Sequence, residues 1–254
     1  MKHFISCLGI AGTGKSTFGS NYYKKLYNVK NDYFERSDQS LSFTKGIWMI
    51  SDEERRKIPQ YITKDILDVE GFQVDQINSW KYVMIIAFLS SELIIFKGKE
   101  RFDDVGKIIK IIQIGLKKMK KLNMPRILKI IYIQTTIKEP IEPIEKLLEK
   151  FKYDKNIFNN IKFKYIYLPQ ISISGKNQEL MKYKDYNNAF EEILKNLLNV
   201  TYKYNSVSSL KNYIDSFNLA LNGNIEFYNQ QIFKDIEIDF DGIYSKKEEE
   251  KKKN

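Results

Sequence analysis

Two residue types that serve much of enzyme chemistry are almost missing from this 254-residue chain, which contains one cysteine, Cys7, and one histidine, His3. A single cysteine excludes an internal disulfide and any zinc site built from several cysteines. A single histidine argues against Ser-His-Asp hydrolysis and against HExxH peptidases. Any catalysis would therefore use carboxylates, hydroxyls, lysine, backbone amides or a bound metal ion, and we expect a reducing, cytoplasmic compartment.

Long apolar segments are also lacking. No apolar run approaches 18 residues, and the longest candidates lie at residues 82–89 and 93–96, so we expect no transmembrane span. The first four residues, Met-Lys-His-Phe, do not begin a secretory signal. Neither a myristoylation nor a prenylation motif is present.

The net charge is strongly positive, because 42 Lys and Arg residues stand against 32 Asp and Glu, which gives +10. A basic balance is typical of nucleic-acid binding. Here the excess is spread along a chain rich in Lys, Asn, Ile and Tyr, and no motif combines aromatic with basic residues. We therefore expect no nucleic-acid partner.

Apolar segments that read as strands alternate with segments that have helical periodicity. This alternation predicts an α/β fold, a three-layer sandwich with a mostly parallel sheet covered on both faces. Residues 51–60 read as a charged turn, and residues 82–89 fit either a helix or a strand. The predicted strands are 4–8, 46–50, 61–68, 93–96, 126–133 and 163–168. One predicted helix begins at Lys15, and four others cover residues 74–90, 103–121, 143–152 and 185–198.

Residues 9–16 read Gly-Ile-Ala-Gly-Thr-Gly-Lys-Ser and match the P-loop pattern GxxxxGK[ST] in full, between a predicted strand and a predicted helix. Glycines let backbone amides turn toward phosphate oxygens, and the helix N-terminus adds its positive end. We expect Lys15 to reach the β- and γ-phosphates and Ser16 to coordinate Mg²⁺. The predicted nucleotide-binding residues here are Gly9, Gly12, Thr13, Gly14, Lys15, Ser16 and Thr17.

A P-loop needs an acidic residue that holds Mg²⁺ through water, and Asp68, at the end of a predicted strand, is the candidate. Gly71 would let a backbone N–H approach the γ-phosphate. Thr44 can bind Mg²⁺ through its hydroxyl and the γ-phosphate through its amide. The predicted metal ligands are therefore Ser16, Thr44 and Asp68. The alternative for Asp68 and Thr44 is a structural role at a strand end or strand start.

Two of these segments resemble the guanylate-binding proteins, the large dynamin-related GTPases that include the atlastins. Residues 43–49, Phe-Thr-Lys-Gly-Ile-Trp-Met, resemble the family's switch I signature, and residues 68–71, Asp-Val-Glu-Gly, resemble its D-T-E-G switch II motif. Residues 78–91 resemble the helix that follows in the family, which favours a helix at 82–89. Residues 208–214 resemble the entry to its helical middle domain. The resemblance covers most of residues 5–221.

The resemblance implies a Mg²⁺-dependent GTPase that binds GTP and GDP, dimerises through its GTPase domain and works peripherally at an internal membrane. Ser42 matches the family serine that positions the attacking water, so Lys15, Ser42 and Thr44 are the predicted catalytic residues. Gln134 and Thr135 stand where the family reads guanine. The implied organisation is a GTPase-like domain at 1–203, a short helical extension at 204–240 and a charged, disordered tail at 241–254.

The chain departs from the family in several respects. Gly12 stands where the family usually carries an arginine finger, which supplies on the order of 10³–10⁵ in rate. Arg36, Arg55 or Arg56 are the candidates to replace it. After the predicted strand 126–133 no acid follows until Glu139, so the carboxylate that reads guanine is missing. The short segment before the P-loop and the short helical part after residue 203 lead us to expect a truncated relative.

Three hypotheses remain open at this point. The first is a slow or partner-activated GTPase of the guanylate-binding type. The second is a pseudo-GTPase that senses a nucleotide and acts by interaction, which the missing arginine and the missing guanine-reading acid favour. The third is a P-loop ATPase or kinase, against which the Thr44–Met49 stretch argues.

Overall fold

The structure is a computed structural model, and all the residues that it describes lie in the first of the chain's two units, Met1–Tyr204 and Asn205–Asn254. The predicted boundary after residue 203, the helical extension and the tail fall outside the described residues and stay predictions. The described residues are 3–30, 32–34, 46–58, 64–72, 82–83, 86–87, 90–98, 102–121, 129–135, 146, 149, 155–158, 161–169 and 183–198.

In the described part of the chain, one sheet contains six strands in the order β2-β3-β1-β4-β5-β6. Every neighbouring pair is parallel except β2 and β3, which are antiparallel. The mostly parallel sheet predicted from the sequence is thus confirmed. The strands are β1 (His3–Gly9), β2 (Ile47–Trp48), β3 (Lys64–Val69), β4 (Glu92–Lys97), β5 (Lys129–Gln134) and β6 (Lys162–Tyr167).

Helices lie on both faces of the sheet. The chain moves from β1 toward one sheet edge to reach β3, and from β4 toward the other edge to reach β5. Because crossovers between parallel strands are right-handed, the helices α1 and α3 of these two connections lie on opposite faces. The fold is therefore the predicted three-layer α/β sandwich with a mostly parallel sheet. The helices are α1 (Lys15–Tyr27), α2 (Asp52–Arg56), α3 (Phe102–Lys121), α4 (Lys155–Phe158) and α5 (Lys184–Leu198).

Aromatic side chains fix α1 on the sheet. The ring of Phe18 is fully buried and lies 5.7 Å from that of Phe96 in β4 and 5.1 Å from that of Phe190 in α5. Such ring pairs contribute about 0.5–1.5 kcal/mol each beyond their buried area. Further along α1, the Tyr23 hydroxyl donates to the Asp65 carboxylate in β3 at 3.1 Å. These contacts set the direction in which the first turn of α1 points.

A buried ion pair lies at the amino ends of the strands, at the end of the sheet opposite to the N-terminus of α1. Lys64 and Glu92, which begin β3 and β4, are 3.0 Å apart and almost fully buried. Lys64 also donates to the carbonyl of Leu197, and Lys129 donates to that of Asn196 at 2.6 Å. Both lysines thus bind the C-terminal end of α5, where the helix dipole favours positive charge. Burial raises the pKa of Glu92 to about 7, although Lys64 and Lys129 lower it.

The prediction of a charged turn at residues 51–60 was wrong for its first half. Residues Asp52–Arg56 form α2, and the Ser51 hydroxyl accepts a hydrogen bond from the Glu54 N–H at 3.1 Å. This is the N-cap interaction, which satisfies an amide that the helix itself leaves without a partner. The short helix α4 was not predicted either.

Two predicted helices are described only in part. Tyr82, Val83, Ile86 and Ala87 are helical, which agrees with a helix rather than a strand at 82–89. In the predicted helix 143–152, the structure describes Lys146 and Glu149, and both are helical. Among the helices of the described residues, none combines the length and the apolar character needed to cross a bilayer.

Candidate nucleotide-binding site

The loop between β1 and α1 has the backbone conformation of a phosphate cradle. Gly12 and Gly14 have φ angles of 78° and 90°, a region that residues with a Cβ atom rarely adopt. Among the described residues beyond the chain neighbours, no heavy atom lies within 4 Å of a Cβ built at either position, so the φ angles and not packing favour glycine here. Gly14 is the N-cap of α1 and makes no side-chain cap, so the helix N-terminus can receive an anion.

Lys15 and Thr13 both fold over this loop. Lys15 is the first residue of α1, is only 6% exposed, and its Nζ donates to the carbonyl of Ile10 at 2.8 Å. The Thr13 hydroxyl donates to the same carbonyl at 2.9 Å. The ammonium group is thus held inside the loop. A phosphate oxygen bound there would offer it a charged acceptor, which binds more strongly than a neutral carbonyl.

The hydroxyl of Ser16 donates to Oδ2 of Asp68 at 2.6 Å. Asp68 lies near the carboxyl end of β3, in register with Cys7 of β1, and is 1% exposed. Hydroxyl and carboxylate oxygens are the ligand types that Mg²⁺ prefers, usually with substrate phosphates completing its coordination. In the described residues no group of three His, Cys, Asp or Glu side chains could hold a metal alone. The pair therefore fits Mg²⁺ that is shared with a phosphate ligand.

The segment after β3 lies directly against the P-loop. A Cβ atom at Gly71 would be 2.6 Å from the backbone nitrogen of Ala11. The N–H of Phe72 donates to the carbonyl of Gly9 at 2.9 Å. The structure therefore brings Gly71 to the P-loop, as it does Asp68.

Gln134 and Thr135 lie at the carboxyl end of β5, and both are buried. The N–H and the hydroxyl of Thr135 both donate to the carbonyl of Lys97, at 2.9 and 3.0 Å. Since β5 is two strands from β1, the pair stands about 10 Å from the P-loop strand, on the edge where α/β sheets bind ligands. The amide of Gln134 can both donate and accept.

Electrostatics around Cys7 argue against thiol chemistry at this site. Burial raises the pKa of its thiol well above the usual value, Asp68 raises it further, and Lys15 lowers it. The thiol is fully buried, so it stays protonated and serves as part of the core.

The remaining predicted residues are placed as follows. Thr17 follows Ser16 in α1 and is partly exposed. Ser42, Thr44 and Arg36 lie outside the described residues. Arg55 donates a hydrogen bond to the carboxylate of Asp65 at 2.6 Å. Asp65 lies three residues before Asp68, toward the amino end of β3. Arg56 is exposed.

Sequence reasoning gave no role to Glu70, which lies between the two switch II candidates. Its carboxylate accepts a hydrogen bond from the N–H of Gly46 at 2.9 Å, and its own N–H donates to the Gly46 carbonyl at 2.7 Å. The sequence signal that could have pointed to Glu70 was its place inside the motif at residues 68–71. The role of its side chain becomes visible only from its contact with Gly46, which is distant in the sequence.

No family model matches this chain, and no curated protein matches it either. Among solved structures, the chain is similar to a bacterial selenocysteine-specific elongation factor, EF-Sec, at a TM-score of 0.39 and 16% sequence identity. The match covers 85% of this chain and 29% of that chain. The chain thus spans less than a third of that protein's length, and a likeness of this degree carries no argument about function.

Proposed function

We propose that this chain binds GTP with Mg²⁺ and hydrolyses it slowly or with the help of a partner. One observation carries the proposal. The buried Lys15 ammonium, the N-terminus of α1 and the Ser16–Asp68 pair meet at one end of the sheet. This combination suits a nucleoside triphosphate and its metal ion. The guanylate-binding type and the preference for guanine rest on the resemblance of residues 43–49 and 68–71.

Each group has a defined part in the proposed reaction. The amides of residues 10–14 and the first turn of α1 bind the phosphate chain, and Lys15 neutralises its β- and γ-phosphates. Ser16 and, through water, Asp68 would hold Mg²⁺, which would stabilise the negative charge that develops on the phosphate oxygens. The resemblance assigns the attacking water to Ser42 and a further Mg²⁺ contact to Thr44.

A second candidate is a pseudo-GTPase that binds the nucleotide and acts by interaction. A specific observation favours it, because Gly12 stands where the family carries arginine and Arg55 is bound to Asp65. In that ion pair the side chains of Arg55 and Asp65 are 15% and 0% exposed. Removing Arg55 would leave a buried carboxylate without its charge partner, which is costly. Arg55 is therefore poorly suited to move to the phosphates.

Equilibrium binding and single-turnover assays with GTP and with ATP separate these candidates. Turnover of GTP supports the GTPase, and binding of GTP without turnover supports the pseudo-GTPase. Transfer of phosphate from ATP to an acceptor would contradict both candidates and show that the protein is a kinase. Absence of binding to either nucleotide would contradict the site itself.

We also propose, on the resemblance alone, a GTP-dependent homodimer in the cytoplasm that contacts an internal membrane peripherally. Light scattering with GDP and with a non-hydrolysable GTP analogue tests dimerisation. Co-sedimentation with anionic and neutral vesicles tests membrane contact. A monomer in both nucleotide states would contradict the dimer.

A further inference from the structure

Glu70 holds Gly46 by both of its backbone groups. The Glu70 carboxylate accepts from the Gly46 N–H at 2.9 Å, and the Glu70 N–H donates to the Gly46 carbonyl at 2.7 Å. Among the described residues, the ladder between β2 and β3 contains two further residue pairs. A hydrogen bond to a carboxylate is charge-assisted and is stronger than one between neutral groups. In the described part of the chain, the Glu70 side chain is therefore one of the contacts that join the start of β2 to the end of β3.

The two residues after Glu70 contact the P-loop. The backbone of Gly71 passes so close to Ala11 that a Cβ atom would lie 2.6 Å from the Ala11 nitrogen, and the Phe72 N–H donates to Gly9 at 2.9 Å. Three consecutive residues thus connect the start of β2 with the loop that binds phosphate in the proposed function. A change in the position of Gly46 would be transmitted to the P-loop through this short segment.

We propose that Glu70 is a positioning residue, whose carboxylate holds Gly46 and thereby fixes Gly71 beside the P-loop in the geometry that favours a triphosphate over a diphosphate. The inference rests on the proposed nucleotide-binding function. Its physical basis is that Gly71 lies against Ala11 of the P-loop, where the sequence predicts that a backbone N–H approaches the γ-phosphate. Without the carboxylate, the Glu70–Gly46 link retains one bond of the two, and the position of Gly71 is less well defined.

Hydrogen exchange tests the structural half of this inference without any nucleotide. In Glu70→Ala we expect the Gly46 amide to exchange faster than in the wild type, because its acceptor has gone. Glu70→Gln keeps a carbonyl acceptor and is expected to fall between the two. Glu53→Ala removes an acid from α2 whose side chain is 81% exposed, so it is the matched control and should leave Gly46 unchanged. Unchanged exchange at Gly46 in Glu70→Ala would overturn the inference.

Calorimetry with GDP and with a non-hydrolysable GTP analogue, both with Mg²⁺, tests the functional half. Glu70→Ala is expected to weaken triphosphate binding on the order of tenfold and diphosphate binding by no more than about twofold. Glu70→Gln offers only a neutral, weaker acceptor and should therefore keep an intermediate preference, clearly below that of the wild type. Equal losses for both nucleotides, together with a lower unfolding temperature, would show a merely structural role and overturn the inference.

The two proposals fail in distinguishable ways. If the wild type binds neither nucleotide, the proposed function is wrong and this inference is wrong with it. If the wild type binds and Glu70→Ala keeps the full preference for triphosphate, only this inference is wrong. Should Glu70→Ala not fold, Glu70→Gln decides alone, since a reduced triphosphate preference with intact folding supports positioning and an unchanged one contradicts it.

Discussion

The Ser16 hydroxyl and the Asp68 carboxylate are joined by a 2.6 Å hydrogen bond, although 52 positions separate them in the chain. Ser16 belongs to the first turn of α1 and Asp68 to β3, and the two meet because β1 and β3 pair in parallel with Cys7 opposite Asp68. The proposed metal site is therefore created by the strand order and not by either segment alone. Mutations of Ser16 or Asp68 should weaken Mg²⁺ binding more than they lower the stability of the fold.

The first prediction concerns Lys15. Lys15→Ala removes the cation that lies inside the P-loop, and a lost charge-assisted bond costs about 1.5–3 kcal/mol, or roughly tenfold to a hundredfold in affinity. Calorimetry with GTP and ATP measures this loss. The control is Lys25→Ala on the same helix, because Lys25 is 40% exposed and pairs with Glu191 away from the loop. Equal affinities for the wild type and Lys15→Ala would contradict the site.

The second prediction concerns Mg²⁺. We expect Mg²⁺ to strengthen triphosphate binding in the wild type, and Asp68→Asn and Ser16→Ala to reduce that gain by about tenfold or more, since partners of a bound metal typically contribute this much. Titrations with Mg²⁺ and with a chelator measure the gain for each variant. If the variants lose affinity equally with and without Mg²⁺, the pair holds the loop and not the metal.

Gly71→Ala provides the third prediction. Its Cβ would meet the Ala11 nitrogen at 2.6 Å, a distance that forces a backbone shift and costs about 1–3 kcal/mol. We expect weaker nucleotide binding and a lower free energy of unfolding, measured by calorimetry and urea denaturation. Because the nearest atom is backbone, adding Ala11→Gly should not rescue the variant. Rescue would show that the contact is only between side chains.

The unit of β1, P-loop and α1 could be predicted from sequence because each of its signals is local. The apolar strand, the glycine pattern and the spacing of Phe18, Tyr22 and Leu26 all fall within one short segment. The order of the strands could not be predicted in the same way. It depends on which distant segments bury the most surface together, and no short pattern encodes that choice.

Charged residues misled the prediction at α2. Ser51 and Glu54 have the S-x-x-E spacing of a capping box, yet the surrounding charges favoured a turn over α2. Lys64 and Asp65 are charged residues inside the predicted strand 61–68, and both do lie within β3. Their partners, Glu92 and Arg55, are 28 and 10 residues away. A buried charge in a strand is energetically tolerable only with such a partner, and the sequence does not show which residue that partner is.

The fourth prediction uses the pKa of Glu92, which burial raises from its ordinary 4.5 to about 7. The folded state then binds more protons than the unfolded state between these values. The stability that Glu92 contributes is present below pH 4.5 and is lost as the pH rises through 7, by at most about 1.4 kcal/mol per pH unit. Urea denaturation between pH 5.5 and 8 should show this decline in the wild type.

The amide that Glu92→Gln introduces does not titrate in this pH range. The free energy of unfolding of the variant should therefore decline less than that of the wild type between pH 5.5 and 8. The control is Glu191→Gln, because hydrogen bonding to Lys25 lowers the pKa of Glu191 and places its titration below the range. Parallel curves for the wild type and Glu92→Gln would mean that Glu92 stays ionised against Lys64 throughout.

The last prediction concerns catalysis and Gly12. If the missing P-loop arginine limits the rate, Gly12→Arg should accelerate single-turnover GTP hydrolysis, because a guanidinium there would face the charge that develops on the phosphates. Among the described residues beyond the chain neighbours, no heavy atom lies within 4 Å of a Cβ at this position, so that part of the structure leaves room for the side chain. It also predicts a penalty, because the φ angle of 78° is left-handed and a non-glycine residue there costs about 1–2 kcal/mol.

Gly12→Ala isolates that penalty, since it imposes the same backbone strain without a guanidinium. The strain weakens GTP binding only to the extent that the free loop relaxes away from it, so both variants should lose a similar factor, at most roughly fivefold to thirtyfold. Only Gly12→Arg should hydrolyse bound GTP faster. Measuring binding and single-turnover rate on the same samples separates strain from catalysis. Equal rates for the two variants at saturating GTP would show that the arginine is not what limits turnover. Arg36 and Arg56 would then be the residues to replace, because Arg55 is held by Asp65.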